Sequence, residues 1–279
     1  MKHLNFSDFE FFHYKDEVVR NFEFKNHDVF EIFFLLSGHV TYLIEGRSYR
    51  LSPGDILLIN NNELHKPVLT SGEAYERIIV WIKPDFLNKH SIKDCDLSYC
   101  FHHALINVQN LIRLNVSDRK KIQNAVFLLE DACESAEFGN HILRNSYMME
   151  IIVHINRYFL QSSKSENINH AEFNDKISRL VDYINQNLAE NLSLDQLSEK
   201  FYLSKYHLLH EFKKYTGYSI HQYILQKRLI SAKKLLKEGM SVNEVCEASG
   251  FNDYSNFIRT FKNNYGVSPK RYSKNYDIS

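Results

Sequence analysis

Two segments, Lys205–Thr216 and Tyr254–Tyr265, carry the side chains best suited to reading another molecule. In each, an apolar pair spaced i, i+4 (Leu208 with Phe212, Phe257 with Phe261) turns one helix face inward. The outer face of the first then presents Lys205, Tyr206, Leu209, His210 and Lys213, with His207 beside them. The outer face of the second presents Tyr254, Ser255, Ile258, Arg259 and Lys262, with Asn256 near the edge. Polar, aromatic and cationic groups near a helix N-terminus suit hydrogen bonding to base edges, and lysines further along suit phosphates. Arg259 stands out because a guanidinium bonds two acceptors of guanine at once. The competing reading is a solvated helix face, which describes most stripes of this kind.

Such faces need elements that hold them, and the surrounding sequence supplies these twice. Leu194, Leu197 and Leu203 pair with Val242, Val245 and Phe251, 48 residues later. Leu208, Phe212, Lys213, Gly217, Ser219 and Tyr223 pair with Phe257, Phe261, Lys262, Gly266, Ser268 and Tyr272, 49 residues later. The one-residue slip falls near Asn252–Asp253, where a turn absorbs it. Ser193 with Gln196, Ser219 with Gln222 and Ser241 with Glu244 read as capping boxes. Ser204 and Asp253 read as N-caps of the two outward helices. Gly217, Gly239 and Gly266 sit where left-handed C-terminal residues belong, and Ser268-Pro269 opens a last helix. An amphipathic helix bearing Phe173, Ile177, Leu180, Val181, Ile184 and Leu188 precedes the repeat.

The repeated unit is therefore a helix-turn-helix, present twice. A helix from Ser219 to about Lys237, free of Gly and Pro, joins the copies. At 1.5 Å per residue it spans on the order of 28 Å, close to the roughly 34 Å between successive major-groove faces on one side of B-DNA. Lys214, Lys227, Arg228, Lys270 and Arg271 are phosphate candidates, equally open to being solubilising charge.

Composition sets the frame. The 279 residues suit two domains, and 44% hydrophobic with 14% aromatic content describes a folded chain. No apolar run approaches the roughly 18 residues that cross a bilayer. The N-terminus lacks a signal-peptide layout. Cys95, Cys100, Cys133 and Cys246 show no zinc or redox spacing and fit reduced thiols, so a cytoplasmic location is expected. Net charge is zero, yet residues 171–279 hold 16 Lys and Arg against 12 Asp and Glu, while residues 1–170 hold 18 against 22. That asymmetry favours a nucleic-acid partner for the C-terminal part only weakly.

Upstream, Phe30–Leu36, a run to Ile44, Ser48–Leu51, Ile56–Asn60 and Glu76–Ile82 read as short strands. Glu45-Gly46-Arg47 reads as a hairpin connection and Ser52-Pro53-Gly54-Asp55 as a turn. Strands at this spacing predict a small barrel or jelly roll, whose mouth is the expected small-ligand site. Phe9, Phe11, Phe12, His13 and Tyr14 are placed in an N-terminal arm. From about Leu105 to Leu160 the period becomes helical, with stripes at Ile122, Ala125, Val126, Leu129 and Ala132 and at Met148, Ile151, Ile152 and Ile155. Residues 161–167 are polar enough to read as a linker.

The stretch from Phe173 to Ser273 resembles the DNA-binding domain of the AraC/XylS family of bacterial transcriptional regulators. Ser204-Lys205-Tyr206-His207-Leu208, then Phe212-Lys213-Lys214 and Gly217, match the first unit. Gly250-Phe251, Asn256 to Lys262, and Gly266-Val267-Ser268-Pro269 with Tyr272 match the second. His210 stands where the family usually has arginine, which implies either weaker readout by the first unit or readout that leans on thymine methyls and phosphates. The N-terminal part resembles the cupin-like effector domain of many members, through His27, Glu31 and Gly38 and then Pro53-Gly54-Asp55 with His65. In metal cupins such residues bind a divalent ion, but Lys25 replaces the first histidine. His27, Glu31 and His65 are therefore read as pocket-lining or framework groups, with no metal and no cofactor expected.

Together these readings give a multidomain α+β chain: a cupin-like barrel over 1–92, a helical region over 93–162 that is the dimerisation candidate, a linker over 163–172 and an all-α double helix-turn-helix over 173–279. The resemblance implies a sequence-specific regulator acting on double-stranded DNA, controlled by a sugar-like effector, working as a homodimer with RNA polymerase. A metal-dependent cupin enzyme fused to DNA-binding helices, and a regulator without an effector, are the alternatives.

Overall fold

The structure, a computed structural model, describes residues 8–16, 27–69, 74–107, 109–162 and 172–274. Lys25 and residues 163–171 of the linker lie outside these. The chain divides into two compact units that meet in sequence at Glu172 and Phe173.

The N-terminal unit is built from short antiparallel strands. These are β1 (Phe9–Asp16), β2 (Phe30–Ser37), β3 (Val40–Ile44), β4 (Arg47–Leu51), β5 (Ile56–Ile59), β6 (His65–Leu69), β7 (Tyr75–Ile82) and β8 (Leu111–Ile112). One sheet runs β1-β7-β2-β5-β8, and the other places β3 between β6 and β4. Period-two alternation in β2 decides which side faces what. Phe33 and Leu35 join Val40, Tyr42, Ile44, Tyr49 and Leu51 in the core of the barrel. Phe30, Ile32 and Phe34 face the other way, onto helices. The β3–β4 hairpin closes on Glu45 and Gly46, both at positive φ, as a two-residue turn of this hand requires.

Helices α1 (Pro84–His90), α2 (Tyr99–Asn107), α3 (Val116–Glu134) and α4 (Asn140–Ser162) cover the outer face of the larger sheet. The two predicted stripes are buried there, Ala125, Leu129, Met148, Ile151, Ile152 and Ile155 without exposure. Asn156 pins α2 to α4: its Oδ1 accepts from Cys100 N–H at 2.8 Å, and its Nδ2 donates to Leu97 O at 3.1 Å.

Some local readings change. The segment placed in an N-terminal arm is strand β1, in register with β7 from Phe9–Ile82 to Asp16–Tyr75. Its mixed aromatic and charged residues, exposed on both sides at His13, Tyr14 and Lys15, give no clean period-two signal for an edge strand. Strands β6 and β8 and helix α1 are likewise too short for a periodic signal. Phe173 lies in a two-residue extended segment before the helix it was assigned to.

The C-terminal unit contains α5 (Asp175–Gln186), α6 (Leu194–Lys200), α7 (Lys205–Thr216), α8 (Ile220–Lys237), α9 (Val242–Ala248), α10 (Tyr254–Tyr265) and α11 (Pro269–Lys274). All three capping boxes form. Ser204 and Asp253 cap α7 and α10, and Gly217 and Gly266 close those helices at φ 79° and 78°. Local signals locate these helices because each cap satisfies N–H groups that would otherwise face no partner.

Candidate nucleic-acid interface and effector site

Each helix-turn-helix sits in a small core to which four helices contribute. In the first, Leu197, Leu208, Phe212 and Tyr223 are buried together with Ile177, Leu180 and Ile184 of α5. In the second, Val245, Phe257 and Phe261 pack with Leu229, Ala232 and Leu236 of α8 and with Tyr272. The same edge-to-face aromatic pair recurs, Phe212–Tyr223 at 5.4 Å and Phe261–Tyr272 at 5.6 Å. Helix α8 thus gives its first turns (Ile220, Tyr223) to one core and its last turns to the other. A connector that belongs to both cores cannot pivot without exposing apolar surface, so it behaves as a rigid spacer about 27 Å long.

The turns explain the slipped repeat. Tyr202 (φ 52°) and Gly250 (φ 83°) hold equivalent left-handed positions. Each turn then closes with a matching bond, Leu203 N–H to Ser198 O and Phe251 N–H to Cys246 O, both 3.0 Å. Asn252 is the extra residue before the Asp253 cap. Gly250 tolerates no side chain, because a Cβ there would stand 2.1 Å from Leu188 O.

Lys205, Tyr206, His207, Leu209, His210 and Lys213 on α7 and Tyr254, Ser255, Asn256, Arg259 and Lys262 on α10 are exposed, whereas Ile258, also placed on the outer face, is half-buried against the second core. Both helices carry lysine in the last turn, but their N-termini differ: neutral Ser204 caps α7, which leaves a positive dipole end there, whereas the Asp253 carboxylate caps α10 and offsets it. The two faces differ. On α10, Asn256 Oδ1 accepts from Arg259 Nη2 at 3.1 Å, which holds the guanidinium extended along the helix. Tyr254, Ser255, Ile258, Arg259 and Lys262 line one open concavity. On α7, Tyr206 stacks over His210, and Lys205 pairs with Asp195 of α6. Arg228, a phosphate candidate, is committed elsewhere: its Nε and Nη2 donate to Leu188 O and Glu190 O at 2.9 and 2.7 Å. It braces the α5–α6 loop. Only tertiary proximity shows this, since Leu188 is 40 residues away.

In the N-terminal unit the structure brings His27, Glu31 and His65 together, all buried. His27 Nε2 lies 2.9 Å and His65 Nε2 3.8 Å from Glu31 Oε2. Each imidazole donates its Nδ1–H to a backbone carbonyl, His27 to Val29 and His65 to Glu63, both at 2.9 Å. Those bonds turn both Nε2 atoms toward the carboxylate. The β5–β6 turn sets this up: Glu63 Oε2 accepts from Asn60 N–H, and Asn62 N–H donates to His27 O. Donors of these types at these separations fit a first-row divalent cation.

Sequence reasoning missed the rest of this interior. Trp81 Nε1–H donates to Glu31 Oε2 at 2.7 Å. Arg77 bonds Asp16 at 2.6 Å and lies against the rings of Tyr14 and Tyr75. Burial holds the phenols of Tyr42 and Tyr75 well above their ordinary range, so both keep their protons. The signal was present in β7, where Tyr75, Arg77 and Trp81 alternate with residues of the opposite face.

The geometry defines a protein class: a double helix-turn-helix for DNA joined to a β-barrel with a polar interior. Residues 10–152 match the family described as AraC-like ligand binding domain, and residues 197–275 match a helix-turn-helix domain. The chain is 26% identical over 247 residues to the uncharacterized HTH-type transcriptional regulator YbfI of Bacillus subtilis, covering 85% of this chain and 82% of that protein. It is 24% identical over 252 residues to the HTH-type transcriptional activator RhaS of Salmonella schwarzengrund, covering 88% and 85%. Among solved structures, ToxT from Vibrio cholerae aligns with a TM-score of 0.38 at 16% identity, covering 96% of this chain and 98% of that one.

The protein belongs to the AraC family of transcriptional regulators. It is a DNA-binding regulator with a ligand-binding N-terminal domain, and its relatives are transcriptional regulators. Among the described residues no helix is long and apolar enough to cross a membrane.

Proposed function

We propose that this chain is a cytoplasmic, homodimeric activator, not an enzyme, that engages RNA polymerase and responds to a small polyhydroxylated, sugar-like effector. Its α7 and α10 enter successive major-groove faces of one DNA segment. Lys205, Tyr206, His207, Leu209, His210 and Lys213 contact one face, and Tyr254, Ser255, Asn256, Arg259 and Lys262 the other. The observation that carries the reading is α8, a single helix whose ends are built into the cores of both units. Spacing of that kind suits one flank of B-DNA, where equivalent groove faces recur every turn.

In this reading Arg259 recognises guanine, oriented by Asn256, and Lys213 and Lys262 hold phosphates. The barrel interior supports a hydroxyl-rich effector, because carboxylate, imidazole, phenol and indole groups converge there as hydrogen-bond partners for a ligand. The relative RhaS is described as an activator, which supports the direction of control. Footprinting with the full-length protein on its own upstream regions tests the reading. Protection of two patches one helical turn apart is expected; no sequence-specific protection on any upstream region overturns it.

A further inference from the structure

We propose that His210 makes a proton-dependent contact with the DNA backbone, so that the first helix-turn-helix responds to pH as well as to sequence. The inference rests on the reading of α7 and α10 as groove helices and adds a control on one of them.

Three observations converge. The first is distribution. His207, His210 and His221 are the only histidines from Phe173 to Ser279, and all lie on α7 or at the start of α8; the second unit has none. The outer face of α10 relies on Arg259 and Lys262, whose charges are constant near neutrality. On α7, Lys205 is paired with Asp195, which leaves Lys213 and the imidazoles on that face.

The second is geometry. The His210 side chain is 63% exposed, its ring stacks with Tyr206 at 15° between planes, and its Nδ1 lies 3.2 Å from Glu211 Oε1. A carboxylate only accepts, so Nδ1 carries the proton of the neutral ring and Nε2 is left with a lone pair. That lone pair repels a phosphate oxygen. A second proton, taken from solvent, turns Nε2 into a donor and gives the ring a full charge, which suits a charge-assisted bond to phosphate.

The third is the surroundings. Among the described residues Glu211 is the one charged group bonded to the ring, and Lys214 shares that carboxylate at 3.9 Å. Helix α5 meets α7 through its apolar face. From α6, Asp195 is taken by Lys205, and from α8, His221 lines a cleft with Leu209. The partner open to the Nε2 donor is then a DNA phosphate. Imidazole changes charge between about pH 5 and 8. The bound state carries one more proton than the free state, so affinity is greatest in acid and falls as pH rises through that range. In acid both outward helices engage; in alkali α10 carries more of the binding.

The test uses the full-length chain and the upstream DNA fragment that it protects. From about pH 6 to about pH 8, at constant salt, its affinity by fluorescence anisotropy is expected to fall about tenfold, the worth of one charge-assisted hydrogen bond. Footprints at the alkaline end keep the patch under α10 and weaken the one under α7. His210→Gln binds at the weak, alkaline level throughout, and His210→Arg at the strong, acid level throughout, since neither replacement titrates there. His221→Gln, at an exposed position on α8, keeps the wild-type slope. Calorimetry of the wild-type protein in two buffers of different ionisation enthalpy should show uptake of up to about one proton per bound chain. Uptake near zero overturns the proposal even if a variant fails to fold. A slope that persists in His210→Gln, or vanishes in His221→Gln, overturns it as well. If both patches stay unchanged at every pH, the proton coupling fails and the groove reading stands. No protected fragment at any pH removes the groove reading and the proposal with it.

Discussion

Arg259 and Asn256 illustrate how a single side chain gains specificity from its neighbour. The Asn256 amide oxygen holds one guanidinium nitrogen at 3.1 Å, so less side-chain freedom is lost when Arg259 meets guanine. Arg259→Ala is expected to weaken binding by about 1–3 kcal/mol at one base position and to relax preference there. Mobility-shift titrations against operators altered at each base measure this. A double-mutant cycle with Asn256→Ala should give a coupling of about 0.5 kcal/mol or more; strict additivity would mean that Asn256 does not orient the guanidinium. In contrast, Lys213→Ala and Lys262→Ala should weaken binding to all sequences alike and each lower the salt slope by about 1.

At the scale of elements, the caps and turns carry the stability of the outward helices. Ser204→Ala removes the side-chain acceptor for His207 N–H and should cost about 1 kcal/mol, read by urea unfolding followed through helix signal. Gly250→Ala is more damaging, because φ 83° and the nearby Leu188 carbonyl both resist a Cβ. A loss of about 1–3 kcal/mol or more is expected, with solubility falling alongside it. The Glu244 carboxyl titrates below its usual range because it is hydrogen-bonded to Ser241 within the capping box. Its folded-state value is depressed, so its contribution is complete at neutral pH and fades as pH falls through that lowered value. Glu244→Gln should keep the cap and remove this part of the acid sensitivity, measured as thermal midpoint against pH.

For the whole molecule, the exposed apolar side chains of α3 and α4 bear on assembly. Phe127, Ile142 and Leu143 remain on the surface although the stripes beside them are buried. Scattered exposed leucines need no explanation, but a phenylalanine 66% exposed on a helix of this unit suits a self-contact. Phe127→Glu should shift the sedimentation of the full-length chain from dimer toward monomer at micromolar concentration and leave its folded circular dichroism intact. Unchanged sedimentation would remove Phe127 from the dimer contact.

The C-terminal helices were legible in sequence almost to the residue because their signals are local. Ser193, Ser219 and Ser241 each act on N–H groups within three positions, and the spacing of Leu208 with Phe212 is a property of one helix. The barrel was legible only in part. Strand β1 looked like an arm until β7 was seen beside it, since a strand's partner can lie anywhere in the chain. The resemblance had grouped His27, Glu31 and His65, but the placing of Trp81 on that carboxylate and the diversion of Arg228 to Leu188 and Glu190 were decided by tertiary structure alone. Pattern records which face a residue takes on its own element; only packing determines which other elements share that face.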